Sequence, residues 1–187
     1  MLLPIIYPNT LKKLLLSGLL SLWIPSVQAT QLNFSAVIAP ATCTLSLSEE
    51  MINLGSLFAP SLQPATLVSA KPFTLAVTNC RGTQTVLTPV VSVTGDGAMQ
   101  DGRWLFRSED SAANNVGVML VNSSVLPTYS SSEVKNGDTL PLATQAGLPT
   151  NQNLSFYAGA TCGNAAGCTN VGVGTIVARI IFSLDYR

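Results

Sequence analysis

Histidine is absent from all 187 residues, and with it go the usual base for a Ser or Cys nucleophile and the commonest proton shuttle. Its absence also argues against a metal site, because the one closely spaced Cys pair, Cys162 and Cys168, has no second pair nearby to complete a ligand set. Charge is scarce too. Lys, Arg, Asp and Glu make up 10% of the chain against 47% hydrophobic residues, far below the usual quarter. Such a surface is made of Ser, Thr, Asn and Gln, and it lacks the field that would steer nucleic acid or an anionic membrane. No segment holds a helical period beyond two turns, which leaves an all-β chain. The acidic pairs, Asp96 with Asp101 and Glu109 with Asp110, fall in polar turn-like stretches and read as solvated loop acids. Gly172-x-Gly174 leads into a strand with no helix after it, so it is no phosphate loop. No enzyme activity, catalytic residue, metal or cofactor is expected.

What is present begins with a secretion signal. Lys12 and Lys13 precede an apolar run of eleven residues, 14–24, Pro25 ends it, and Val27 and Ala29 form the small-x-small pattern that a signal peptidase accepts. Eleven residues are too few to span a bilayer, so residues 1–29 are expected to be removed on export. Residues 1–10, ahead of the Lys pair, are apolar for no physical reason that we can give. Of the nine Lys and Arg, Lys12 and Lys13 leave with the signal, so seven basic residues face nine acidic ones and the mature chain is about −2. All four Cys lie in this exported part, and an even number in an oxidising compartment implies two disulfides. Three pairings are open; Cys43 with Cys80 and Cys162 with Cys168 is favoured, because the second pair is so close in the chain.

Alternation then sets out the strands. Leu32, Phe34, Ala36 and Ile38 alternate with polar neighbours almost from the new N-terminus. Pro40 interrupts them, and Cys43, Leu45 and Leu47 resume in the opposite parity, which predicts a bend or bulge near Pro40. Further short strands are expected at residues 52–54, 73–77, 86–93, 103–107, 116–121, 139–142 and 154–160, with residues 58–71 a loop and turns at 95–97, 136–138 and 147–151. So many short strands in one domain mean a sandwich or a barrel. The last fourteen residues, 174–187, carry the clearest pattern, with Ala178, Ile180, Phe182, Leu184 and Tyr186 on one face. The sequence stops at Arg187, so the expectation is a final strand with one uncovered edge, which invites a foreign strand. A free N-terminal strand and a free C-terminal edge could close on each other or join neighbouring copies into an open filament.

With Gly174 fourteenth from the end, Tyr186 penultimate and the alternating strand between them, the chain resembles subunits of the chaperone–usher pili of Gram-negative bacteria, of the type 1 and P class. Cys43 and Cys80 at the family's spacing, I-N-L-G at residues 52–55, P-F-T-L-A-V-T-N-C leading into Cys80 and N-V-G-V-M-L at residues 115–120 add to the likeness, which covers the whole mature chain. The resemblance implies an incomplete immunoglobulin-like sandwich, lacking its last strand and completed by donor-strand exchange. Residues 30–42 would be a donor-strand extension, with Leu32, Phe34, Ala36 and Ile38 as the inserted side chains, and residues 43–187 the pilin domain. The acceptor and chaperone-binding groove would be lined by Gly174, Ala178, Ile180, Phe182, Leu184, Tyr186 and Arg187. Implied partners are a periplasmic chaperone, which would anchor the terminal carboxylate of Arg187, an outer-membrane usher and neighbouring subunits, with export to the cell-surface fimbria.

Three departures stand out. The family usually has Gly where Ala36 stands, only 13 residues separate the cleavage point from Cys43 as in minor subunits, and the Cys162–Cys168 pair is one most members lack. The alternative is a secreted single-domain adhesin that binds a host receptor or glycan through Trp104, Phe106 and Tyr129, since exposed aromatics make binding hot spots.

Overall fold

Apolar side chains at every second position decide where the chain extends and which face it buries. The computed structural model describes residues 41–83, 87–142 and 147–187, so the signal segment, Pro40 and the donor residues Leu32, Phe34, Ala36 and Ile38 lie outside the described residues. Among the described residues nine strands follow in order: β1 (Ala41–Leu47), β2 (Val68–Gly82), β3 (Pro89–Thr94), β4 (Gly97–Gln100), β5 (Arg103–Phe106), β6 (Gly117–Asn122), β7 (Thr139–Pro141), β8 (Gln152–Thr161) and β9 (Ile181–Tyr186). They form a six-stranded sheet, β1-β2-β8-β6-β5-β4, and a three-stranded sheet, β7-β3-β9, with every pair antiparallel.

The core lies between the two sheets. Phe73, Leu75 and Val77 of β2 meet Val91 and Val93 of β3, Phe106, Val118, Leu120 and Phe156, all buried. The N-V-G-V-M-L run has no polar gaps because β6 is covered on both sides: Val118 and Leu120 join the main core, while Met119 and Val121 pack with Leu105 beneath Leu67 and Tyr129. A third cluster gathers Leu62, Val116 and Cys162 at one end.

Both expected disulfides form, Cys43 with Cys80 and Cys162 with Cys168. The first depends on a bulge. Thr42 pairs with Arg81 and Thr44 with Thr78, so Cys43 faces two residues of β2, Asn79 and Cys80, and Asn79 takes up the extra length at φ +53°. The bend expected near Pro40 itself lies outside the described residues, and this bulge is on the partner strand, at Asn79.

Three expectations need correcting. Residues 52–54 form no strand: Ile52 and Leu54 do pack against the core, but Gly55 N–H bonds to the Asn53 side chain instead of to a ladder. The loop expected at 58–71 ends early, since β2 begins at Val68. Gly97, expected in a turn at 95–97, already opens β4, which pairs with β5 through a turn on Asp101 and Gly102, both at positive φ as a two-residue hairpin loop requires.

Candidate functional site

The last thirteen residues run between two supports. Residues 175–179 lie along the loop after β5, where serine hydroxyls replace a regular ladder: Ala112 N–H donates to Thr175 O (2.9 Å), Ser108 N–H to Val177 O (2.7 Å), Val177 N–H to Ser111 Oγ (3.0 Å) and Arg179 N–H to Ser108 Oγ (3.1 Å). An exposed bidentate pair, Arg179 with Asp110 (2.7 and 2.8 Å), reinforces the crossing and holds the Asp110 carboxyl below its usual range. From Ile181 the chain changes partner and pairs with β3, ending with reciprocal bonds between Thr88 and Arg187. Only residues 181–186 of the expected 174–187 strand are regular, although its alternation is visible in burial from Ala178 onward.

The bonding parity is the informative feature. Residues 175, 177 and 179 bond to the β5 loop, and Arg187 bonds to Thr88, so by the alternation of an antiparallel ladder it is the odd-numbered residues that bond to β3. Val93, opposite Phe182, spends its own N–H and C=O on the other side, on Gly137 and Asp138. The even-numbered residues 176–184 therefore aim their backbone groups at the opposite edge, to which no described strand hydrogen-bonds.

Beside that edge the core is open. Leu45 and Leu47 from β1 and Ile180 and Phe182 from the C-terminal segment flank a hollow of about 300 Å³ floored by Leu75, with Ser46 and Glu50 at its rim. Cys43, Leu45, Leu47, Ala178, Ile180, Phe182 and Leu184 all pack on the core yet stay only half-buried. Phe182 is held by two rings of the opposite sheet, Phe156 at 5.3 Å and Phe73 at 6.2 Å between centroids. Ala178, Ile180, Phe182 and Leu184 thus lie half-buried on one face of the C-terminal segment, and of the four Ile180 and Phe182 line the hollow.

The other residues expected there are placed differently. Tyr186 points the same way, but its hydroxyl is buried without a partner among the described residues, and burial raises its pKa. Arg187 is exposed and lies 3.5 Å from Asp185. The Asp185 carboxyl is lowered, first by the Tyr186 N–H that donates to it and then by Arg187 and Ser92. Gly174 sits beyond the 300 Å³ hollow, at φ +146°, pressed against Ala112 and Ala113. Sequence reasoning passed over Ile176, Leu45 and Leu47 as site residues; Ile176 continues the even parity and was legible on that ground.

The aromatic trio of the adhesin alternative does not form a surface. Phe106 is fully buried and Trp104 packs edge-on against it, while Tyr129 lies under Arg103. Arg103 is tied to Glu133, whose side chain is only 5% exposed. Burial pushes the Glu133 pKa up, but bonds from Arg103 and from backbone N–H groups, including that of Trp104, outweigh it and leave the carboxyl below its usual range.

No protein-family model matches the chain, and no curated protein matches it. Solved structures do match. The crystal structure of the P pilus rod subunit PapA aligns with a TM-score of 0.50 and 18% sequence identity, over 84% of this chain and 99% of that one. The chain has the fold of a pilus rod subunit. Similar too are the Burkholderia pseudomallei antigen and type I fimbria protein BPSL1626 (TM-score 0.48, 15% identity, 78% of this chain and 99% of that one) and a chaperone–usher pilus studied for rod uncoiling (0.48, 18%, 88% and 98%). The fold is therefore the all-β, immunoglobulin-like one of pilus subunits, with β9 at the edge of its smaller sheet.

Proposed function

We propose that the chain is a structural subunit of a cell-surface pilus that receives a strand from another molecule in the groove between β1 and β9. One observation carries this: an edge whose even-numbered backbone groups are bonded by no described strand runs beside a row of core side chains left half-covered. An incoming strand of alternating apolar residues would satisfy both, with its main chain bonding to residues 176–184 and its side chains filling the gap, as in strand addition to a sheet edge.

In this reading a periplasmic chaperone fills the groove first and the extension of a neighbouring subunit replaces it at an outer-membrane usher. The chain's own Leu32, Phe34, Ala36 and Ile38 enter the next subunit in turn. The short extension fits a minor subunit. Burying four such side chains contributes roughly 6–12 kcal/mol before the entropy of ordering is subtracted, at about 1.5–3 kcal/mol each.

The test is a peptide of residues 30–38 added to the chain purified from the periplasm. Saturable binding that raises the melting temperature is expected, and Phe34→Asp in the peptide should abolish it. Phe182→Asp in the chain should also abolish it and weaken chaperone capture, whereas Phe34→Asp in the chain should leave chaperone capture intact. A chain that melts cooperatively alone and ignores the peptide would refute the proposal.

A further inference from the structure

The Cys162–Cys168 bridge lies at the end of the C-terminal segment remote from Arg187, and what it holds is connected to the groove. Cys162 is fully buried with Leu62 and Val116, and Val171 and Ile176 pack on that cluster; Ile176 packs on the main core as well. Here a second hollow, of about 100 Å³, is lined by Leu57, Leu62, Val116, Val171, Gly174 and Ile176, with no charged side chain.

The bridged loop is also tied down by hydrogen bonds. Asp101, in the β4–β5 turn, accepts the N–H groups of Asn164 (2.6 Å) and Gly167 (2.9 Å) on one carboxylate oxygen. Gln100 donates to the carbonyls of Cys162 (2.5 Å) and Asn115 (3.0 Å), Asn115 donates onward to Asn170 (3.0 Å), and Gly172 donates to Asn114 (3.0 Å). A Cβ on Gly167 would strike Cys162 O, so the loop closes without slack.

We infer that the Cys162–Cys168 bridge, with Asp101, is a positioning device for the acceptor groove: it holds the second hollow in shape to receive the terminal apolar side chain of the incoming strand. This rests on the pilus-subunit reading. Length supports it. The first hollow is at Ile180 and Phe182 and the second at Gly174 and Ile176, so Phe182 and Ile176 lie six residues apart, about 20 Å of extended chain. Leu32 and Ile38, the ends of the chain's own alternating stretch, are also six residues apart. A strand of that pattern reaches from one hollow to the other.

The experiment is a double-mutant cycle. Three peptides of residues 30–38, unmodified, with Leu32→Ala and with Ile38→Ala, are titrated against the chain purified from the periplasm and against its Cys162→Ser/Cys168→Ser variant. With the unaltered chain each alanine peptide should bind about tenfold weaker or more. In the variant the unmodified peptide should lose a similar factor, and one terminal alanine, the one seated in the second hollow, should cost no more than about twofold while the other keeps its full effect. Effects that multiply independently at both ends, or a variant that binds all three peptides as the unaltered chain does, would overturn the inference. If the unaltered chain binds none of them, the pilus-subunit reading fails instead. Should the double variant not fold, Asp101→Gly decides by the same criteria. It keeps the bridge and a residue suited to the turn's positive φ but removes the carboxylate, and it should show the same one-ended coupling at smaller size.

Discussion

Replacing Phe182 by alanine separates the cost of losing a core contact from the cost of losing a docking surface. In a closed core a Phe→Ala change costs about 3–5 kcal/mol. Phe182 is only half-covered in the isolated chain, touching Phe156 and Phe73 on one side and the open hollow on the other. About half of that cost, ~2 kcal/mol, should therefore appear as lost stability of the chain alone, a fall in melting temperature of about 4–8 °C for a domain of this size. The other ~2 kcal/mol is realised only when a strand closes over the ring, so it should appear as roughly 30-fold weaker binding of the peptide of residues 30–38. Calorimetry measures the first and fluorescence anisotropy of a labelled peptide the second. Met119→Ala is the control: Met119 is fully buried, but in the outer layer beneath Leu67 and Tyr129, so it should destabilise the chain at least as much and leave peptide affinity unchanged. If Phe182→Ala lowers the melting temperature yet binds the peptide within threefold of the unaltered chain, the hollow beside β9 is not where the strand docks.

Three other outcomes are expected. Cys43→Ser/Cys80→Ser opens a link across 37 residues and Cys162→Ser/Cys168→Ser one across 6; in the chain-entropy picture these cost about 4 and about 2 kcal/mol, so urea midpoints should fall in that order. Gly174→Ala must accept a left-handed φ and a Cβ 2.8 Å from both Ala112 Cβ and Ala113 N, whereas Gly137→Ala at φ +88° meets nothing within 4 Å. The first should cost clearly more than the roughly 1–2 kcal/mol of backbone strain at the second, as thermal melts would show. Glu133→Gln should cost about 2 kcal/mol at pH 7, since it weakens charged bonds to Arg103 and the Trp104 N–H. Because the folded pKa of Glu133 lies below its ordinary 4.5, the ionised side chain contributes fully above that value and loses its contribution as pH falls through the depressed one. The gap between the unaltered chain and the variant in urea midpoints should therefore narrow below about pH 4, and a gap unchanged down to pH 2 would contradict the assignment.

Alternation along the chain reports which side chains face a core, and it served well where burial and pairing coincide. In β2 the Phe73, Leu75, Val77 series is both buried and laddered, and β9 shows the same period. It failed where the two part company. Ile52 and Leu54 lie on the core exactly as their spacing implies in kind, but their backbone has no ladder, so the expected strand is absent. The converse holds for β4, whose Gly97, Ala98 and Gln100 carry little apolar signal although the backbone pairs fully with β5; there the Asp101-Gly102 turn, a strong hairpin signal, was the only clue. Residues 175–179 combine both difficulties, since Ser108 and Ser111, some 66 to 71 positions away, supply bonds that no local pattern announces. The candidate site shows why this matters. Its apolar row was readable from residues 178–186, but an unpaired edge is a property of strand order, and only when β9 is found outermost beside β3, with residues 175–179 bonded by their odd members to the β5 loop, does the row become one side of a gap. A continuous edge of even-numbered residues, unpaired among the described residues, then constrains any partner in a way composition cannot: it must arrive extended, with its apolar side chains in the same two-residue period as residues 176–184.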